Sequence, residues 1–124
     1  TGALGNSAGA TDVYKVTCSN EDGGSTPTFR LSSKVKDNAP VKPPLVSVST
    51  SKGGTTTNTT DSNGDGNSSY SAWAYNNKGN GIYTLSVKKT KAGLELYTVQ
   101  FHCEGPASSG FIHTGTTSKI SQNQ

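Results

Sequence analysis

The chain has 124 residues, of which 29% are hydrophobic, 7% aromatic and 15% charged, and its formal net charge is +3 at pH 7. Ser, Thr, Asn and Gly dominate with 17, 17, 10 and 15 copies, whereas disordered segments of similar polarity are usually rich in Pro, Glu and Lys, so we expect one folded domain with a small core. No apolar run approaches the roughly 20 residues of a membrane-spanning helix, and the charge is too low to indicate a dedicated nucleic-acid-binding protein.

Apolar and polar residues alternate along residues 11–104, as in strands with one buried face, and no helical apolar stripe interrupts the pattern. The side chains expected to face inwards are, in chain order, Tyr14, Val16, Cys18, Phe29, Leu31, Val35, Val46, Val48, Trp73, Tyr75, Tyr83, Leu85, Val87, Tyr97, Val99, Phe101 and Cys103. Six to eight short strands with polar turns and no crossover helix predict an all-β fold, a small antiparallel β-sandwich or jelly-roll.

Two local features refine this prediction. Asn and Gly residues in the segment 76–81 favour a turn, which predicts a hairpin between the strand of Trp73 and the strand of Tyr83. Leu96 has the opposite parity to the inward-facing Tyr97, so we predict a bulge or twist at this point.

The two cysteines, Cys18 and Cys103, lie 85 positions apart and both fall on the inward phase of their strands. This separation fits neither a CxxC redox motif nor a zinc knuckle. We therefore predict a disulfide, which implies an oxidising compartment and an extracellular or cell-surface protein.

The segment 61–67 resembles the first half of a calcium loop, because Asp61, Asn63 and Asp65 place oxygen ligands at alternate positions. The bidentate Glu expected at the twelfth position is Ala72 instead. Two interpretations remain open: a calcium site made by these three residues with the carbonyl of Asn67, or a polar loop rich in Asx turns.

Asn58 and Asn67 each stand two residues before a Thr or Ser, the pattern of N-glycosylation. In a chain so rich in Ser, Thr and Asn such matches also arise by chance. Glycosylation at these two positions is an expectation of low specificity.

Basic residues lie on the outward phase of two strands and at one predicted turn: Lys15, Arg30, Lys34 and Lys36, then Lys88, Lys89 and Lys91. Such a surface can attract acidic polysaccharide or extracellular DNA, and the alternative is a solvated face that discourages wrong edge pairing. Trp73, Tyr75 and Tyr83 are candidates for a sugar-stacking platform, although their phase favours the core.

Catalytic motifs are sparse. His102 points away from the neighbouring Cys103 and is expected to be an exposed structural histidine, and His113 has no carboxylate nearby in the sequence. Most carboxylates fall in predicted turns. The sequence therefore predicts a protein that is not an enzyme and needs no cofactor, calcium excepted.

The terminal segments suggest a function. Polar, Gly-rich ends fray unless they pair in a sheet or dock on a partner, so we expect residues 1–10 to form an arm that can be donated as a strand and 105–124 to form a polar tail. This favours a secreted, pilin-like structural subunit that self-associates through terminal strand exchange. The alternative is an extracellular carbohydrate- or ligand-binding β-sandwich module, either with or without calcium in the loop of Asp61.

Overall fold

The computed structural model describes residues 2–5, 9–20, 26–37, 45–61, 70–89, 95–107 and 110–122. Within these ranges the chain forms ten strands, which are β1 (Gly2–Leu4), β2 (Asp12–Ser19), β3 (Arg30–Asp37), β4 (Val46–Lys52), β5 (Thr55–Thr60), β6 (Ala74–Asn76), β7 (Gly81–Lys89), β8 (Glu95–Ala107), β9 (Gly110–His113) and β10 (Gly115–Gln122). The all-β prediction is confirmed, with more strands than the six to eight expected. The same ranges contain no helix long and apolar enough to cross a bilayer.

The strands form two antiparallel sheets, which we call sheet A and sheet B. Sheet A has the order β1-β8-β3-β6, and β9 also pairs with β8. Sheet B has the order β10-β2-β7-β4-β5. Because β3 occupies one edge of β8, β1 and β9 pair with the two ends of its other edge.

The core lies between the sheets and consists mainly of side chains from alternate positions of the longer strands, with Leu4 and Ala10 added from the N-terminal segment. Its buried members are Leu4, Ala10, Val16, Cys18, Leu31, Val35, Val46, Val48, Tyr83, Leu85, Val87, Tyr97 and Cys103. Most of the inward positions predicted from the alternation are therefore confirmed, because a strand with one buried face must place every second side chain inside.

The predicted disulfide joins the two sheets. Cys18 of β2 and Cys103 of β8 are bonded, with their Cα atoms 5.6 Å apart and 85 positions between them in sequence. Both residues are buried. A disulfide is compatible with an extracellular location.

Both terminal segments contribute strands to the sandwich of their own chain. β1 pairs with β8, its Leu4 side chain is fully buried, and Lys89 Nζ donates a hydrogen bond to the Gly5 carbonyl oxygen. At the other end β10 pairs with β2 along most of its length. Thr114, where the chain passes from sheet A to sheet B, donates its backbone N–H to the Cys103 carbonyl oxygen at 2.8 Å.

The face assignment of β6 is opposite to the prediction. Ala74 and Asn76 are buried, whereas Tyr75 is 41% exposed and Trp73 is half-buried. The Asn76 side chain points inwards because its amide donates to the Thr50 carbonyl oxygen of sheet B at 3.2 Å. Trp73 and Tyr75 consequently lie on the outer surface, and their assignment to the core is wrong.

Two further expectations are wrong and one stays open in part. The hairpin predicted at 76–81 does not form, because β6 pairs with β3 in sheet A whereas β7 lies in sheet B. No bulge interrupts the β1–β8 register at Leu96, so of the bulge or twist expected there the twist remains a prediction; the register shift among the described strands lies between Ile120 and Gln122. Phe29 precedes β3 and is 47% exposed, so it is not a core residue.

Candidate functional site: the outer face of sheet A

The outer face of sheet A brings together basic, aromatic and histidine side chains from four parts of the chain. Strand pairing fixes this surface, because Arg30 faces Glu104 across β3 and β8, Ser32 faces Tyr75 of β6, and Glu104 faces His113 of β9. Residues opposite each other in a ladder share a face of the sheet. We call this surface the A face, and its members are Arg30, Ser32, Lys34, Lys36, Tyr70, Trp73, Tyr75, His102, Glu104, Phe111 and His113.

Arg30 is held at one end of the A face between two aromatic rings. Its Cζ lies 4.0 Å from the ring centroid of Tyr75 and 3.8 Å from that of Phe111. Its Nε donates to Oε1 of Glu104 at 2.8 Å. Phe111 is itself 45% exposed, so solvent reaches this end of the face. A guanidinium stacked on rings and paired with a carboxylate has little freedom to move.

Two lysines repeat this arrangement at the other end. Lys34 Nζ lies 4.4 Å from the ring centroids of both Tyr70 and Trp73, and Lys36 Nζ lies 5.0 Å from the Tyr70 ring. Both lysines project from β3 in the outward phase predicted from the sequence. The A face is therefore a row of cations held over aromatic rings.

A carboxylate and two histidines lie between these ends. His102 Nε2 is 3.0 Å from Oε2 of Glu104, and the rings of His102 and His113 have centroids 4.2 Å apart. The Trp73 ring meets His102 edge-on with centroids 5.1 Å apart. Ser32 Oγ donates to Oε1 of Glu104 at 2.6 Å.

The surroundings shift the pKa of two of these groups. Burial lowers the pKa of His102, the charge of His113 lowers it further, and Glu104 acts in the opposite direction. Burial tends to raise the pKa of Glu104, but hydrogen bonds from Ser32 and Arg30 outweigh it, so this pKa lies below its usual value. At neutral pH the cluster therefore contains an ionised carboxylate beside a neutral His102.

The structure describes part of the predicted calcium loop and glycosylation sites. Asp61 is fully buried and donates its backbone N–H to the Val46 carbonyl oxygen at 3.0 Å. Asn63, Asp65 and Asn67 lie outside the described residues, so calcium binding remains a prediction. Asn58 is exposed on β5, and its glycosylation also remains a prediction.

The other predicted basic residues do not belong to the A face. Lys15 is exposed on the outer face of sheet B, where its Nζ donates to Thr84 Oγ1 at 2.9 Å. Lys88 is exposed, Lys89 is buried, and Lys91 lies outside the described residues. Among the three proposed sugar-stacking aromatics, Tyr83 is a core residue whose hydroxyl donates to the Gly79 carbonyl oxygen at 2.8 Å.

The histidine cluster was missed at the sequence level. His113 has no carboxylate near it in sequence, but antiparallel pairing of β8 and β9 places it directly opposite Glu104. The available signal was the pair His102 and Glu104, which share a strand face at a spacing of two residues. Only two residues separate Ala107 from Gly110, so a tight reversal there would have brought His113 to that face.

The A face is suited to a ligand with several negative charges. Its described side chains present three cations, Arg30, Lys34 and Lys36, and one carboxylate, that of Glu104, with aromatic rings between them. No family model matches the chain, and no curated protein or solved structure is significantly similar to it.

Proposed function

We propose that this protein is an extracellular binding module whose A face binds an acidic polysaccharide. The observation that carries the proposal is the set of cations held over aromatic rings on one sheet face: Arg30 between Tyr75 and Phe111, and Lys34 over Tyr70 and Trp73. Cations already positioned by their neighbours lose less conformational entropy when a ligand binds.

The packing of the rings favours a glycan over nucleic acid. Binding of single strands relies on bases that stack on open aromatic faces. Here a guanidinium or ammonium group already lies over Tyr75, Phe111, Tyr70 and Trp73, so each of these rings has a face covered. The positive groups remain available to the carboxylates or sulfates of an acidic sugar, while ring edges can contact its apolar C–H groups.

The shape of the site favours a polymer over a small molecule. The A face spans β9, β8, β3 and the short β6, and its cations follow the length of β3. Successive outward residues of a strand are about 7 Å apart, which separates Lys34 from Lys36, and Arg30 lies two such steps further from Lys34. An extended chain with repeated negative charges can contact all three.

The experiment is a titration of the full chain with a uronic-acid oligosaccharide by isothermal calorimetry. The double variant K34Q/K36Q should bind roughly 5- to 30-fold more weakly, because two exposed charge contacts contribute about 1–2 kcal/mol together. The matched control K15Q/K119Q removes the same charge from the outer face of sheet B, where Lys15 and Lys119 lie opposite each other in the β2–β10 ladder.

The control variant should bind like the wild type. Equal weakening in both variants would mean that only net charge matters and would reject a site on the A face. Tighter binding of single-stranded DNA than of the oligosaccharide would reject the glycan as the ligand. Added salt should weaken wild-type binding, because the contacts are between opposite charges at the protein surface.

Self-assembly by terminal strand exchange remains a second prediction. Its physical basis is that β1 has only three residues and lies on the edge of sheet A, so little pairing with β8 would be lost if it were replaced by the same segment of a neighbour. Removing residues 1–10 should then abolish assembly in light scattering while the monomer stays folded. Unchanged assembly would reject strand exchange.

A further inference from the structure

We propose that His102, Glu104 and His113 form a binding site for a zinc ion on the A face. Their potential ligand atoms all lie within 4.8 Å of one another. Two imidazole nitrogens and one carboxylate oxygen are a donor set that Zn²⁺ uses in proteins when a fourth position is left for water or another ligand. Nitrogen donors also make Zn²⁺ a better candidate than Ca²⁺, which prefers oxygen.

The distances are close to those of a bound metal. Donor atoms about 2.0–2.2 Å from a tetrahedral zinc are roughly 3.3 Å from each other. His102 Nε2 and Glu104 Oε2 are already 3.0 Å apart, so this pair needs almost no movement. The remaining separation, at most 4.8 Å, closes by about 1.5 Å through side-chain rotation of His113, which is exposed.

The carboxylate is held in an orientation that suits a metal ligand. Arg30 Nε and Ser32 Oγ both donate to Oε1 of Glu104, at 2.8 and 2.6 Å. Oε2 faces His102. Partners of this kind, which bind the second oxygen of a ligating carboxylate, orient the ligand and are a regular part of metal sites.

The ligands also project from paired strands rather than from loops. His102 and Glu104 are two residues apart on one face of β8, and His113 lies across from Glu104 on β9. The end of β9 is fixed by the hydrogen bond from the Thr114 N–H to the Cys103 carbonyl oxygen. Sites on regular strands hold their geometry better than sites on loops.

Two positive charges oppose a cation at this position. Arg30 pairs with Glu104, and Lys34 lies over Trp73, which contacts His102. The direct coordination bonds of three ligands outweigh repulsion between groups at such distances. The metal site is independent of the polysaccharide proposal, because it needs neither Lys36 nor a bound glycan.

The experiment is a calorimetric titration of the chelator-treated, untagged full chain with Zn²⁺. We expect one ion per chain. Trp73 is the only tryptophan, and its ring centroid lies 5.1 Å from that of His102, so Cu²⁺ bound at the same site should quench its fluorescence. Because such sites bind Cu²⁺ more tightly than Zn²⁺, a large excess of Zn²⁺ should be needed to reverse the quenching by competition.

Three variants test the ligand assignment. His113→Gln and His102→Gln each remove a direct ligand and should weaken Zn²⁺ binding by more than about 100-fold, beyond the roughly 10- to 100-fold expected for Ser32→Ala, which removes an orienting partner. The control K15Q/K119Q should bind Zn²⁺ like the wild type. Circular dichroism establishes that each variant is folded.

Three outcomes would overturn the site: no binding at roughly millimolar Zn²⁺, wild-type affinity in both folded histidine variants, or Cu²⁺ quenching of Trp73 that survives in both of them. Loss of zinc binding in the histidine variants, with their glycan binding intact, would support the metal site and the polysaccharide site as separate features. Loss of glycan binding in K34Q/K36Q with Zn²⁺ still bound would support the same separation.

Discussion

Removal of the disulfide should destabilise the sandwich strongly, because Cys18 and Cys103 close a loop of 85 positions between the two sheets. In the chain-entropy description a cross-link over a loop of this length disfavours the unfolded state by about 4.5 kcal/mol at 25 °C. Folded domains are stable by only about 5–15 kcal/mol, so the loss is a large fraction of the total.

The double variant C18A/C103A isolates this effect. With a urea m-value of about 1.5 kcal/mol/M, the expected loss lowers the midpoint of urea unfolding by about 3 M. The m-value should also rise, because the unfolded chain without the cross-link is less compact. Reduced wild-type protein serves as the control for packing changes, since it keeps both sulfur atoms and should show a similar midpoint.

A midpoint that falls by less than about 0.5 M in both samples would refute this reasoning, because it would mean that the link between the sheets contributes little to the free energy of unfolding. A large loss in C18A/C103A but not in reduced wild type would assign the effect to packing of the sulfur atoms instead.

Three further predictions concern stability and pH. Tyr97→Phe should cost about 1–3 kcal/mol in urea unfolding, because the Tyr97 hydroxyl is buried, donates to Asp12 Oδ2 at 2.5 Å and lies 2.8 Å from the Tyr14 hydroxyl; an unchanged midpoint would contradict this. Arg30→Lys should lower stability by about 1 kcal/mol, since an ammonium cannot stack between Tyr75 and Phe111 as a planar guanidinium does, and equal thermal midpoints would argue against that stacking. Stability should fall on acidification, because a histidine or carboxyl group whose pKa is lower in the folded state binds more protons when unfolded. The contribution of His102 is lost below about pH 6.5 and that of Glu104 below about pH 4.5. In thermal denaturation as a function of pH, His102→Gln should flatten the decrease that begins near pH 6.5, and an unchanged profile would exclude His102 as the cause.

The alternation of residues was enough to predict the core strands. Val16, Cys18, Val35 and Tyr83 were expected inside and are buried, because a strand with one apolar face has a single way to hide it. The disulfide followed from the same phases. Pairing partners were harder: the turn residues at 76–81 suggested a hairpin, but β6 and β7 belong to different sheets, which local turn chemistry does not determine.

The A face depended on information that the sequence pattern lacks. Trp73 and Tyr75 have the size and apolarity of core residues, yet the buried hydrogen bond of Asn76 turns them outwards. His113 meets Glu104 only through the register of β8 and β9. The outward orientation of Lys34 and Lys36 was predicted correctly, but the aromatic rings beside them were not expected on the same face. The site could therefore be recognised only once the long-range strand pairing was known.

The most direct test of the A face as the binding surface is an NMR titration of the isotopically labelled chain with the uronic-acid oligosaccharide. We predict that the largest chemical-shift changes fall on the Arg30 and Lys34 side chains and on the Trp73 indole, with little change at Lys15 and Lys119 on the opposite outer face. Shifts concentrated around Lys15 and Lys119, or spread evenly over both sheets, would contradict the assignment.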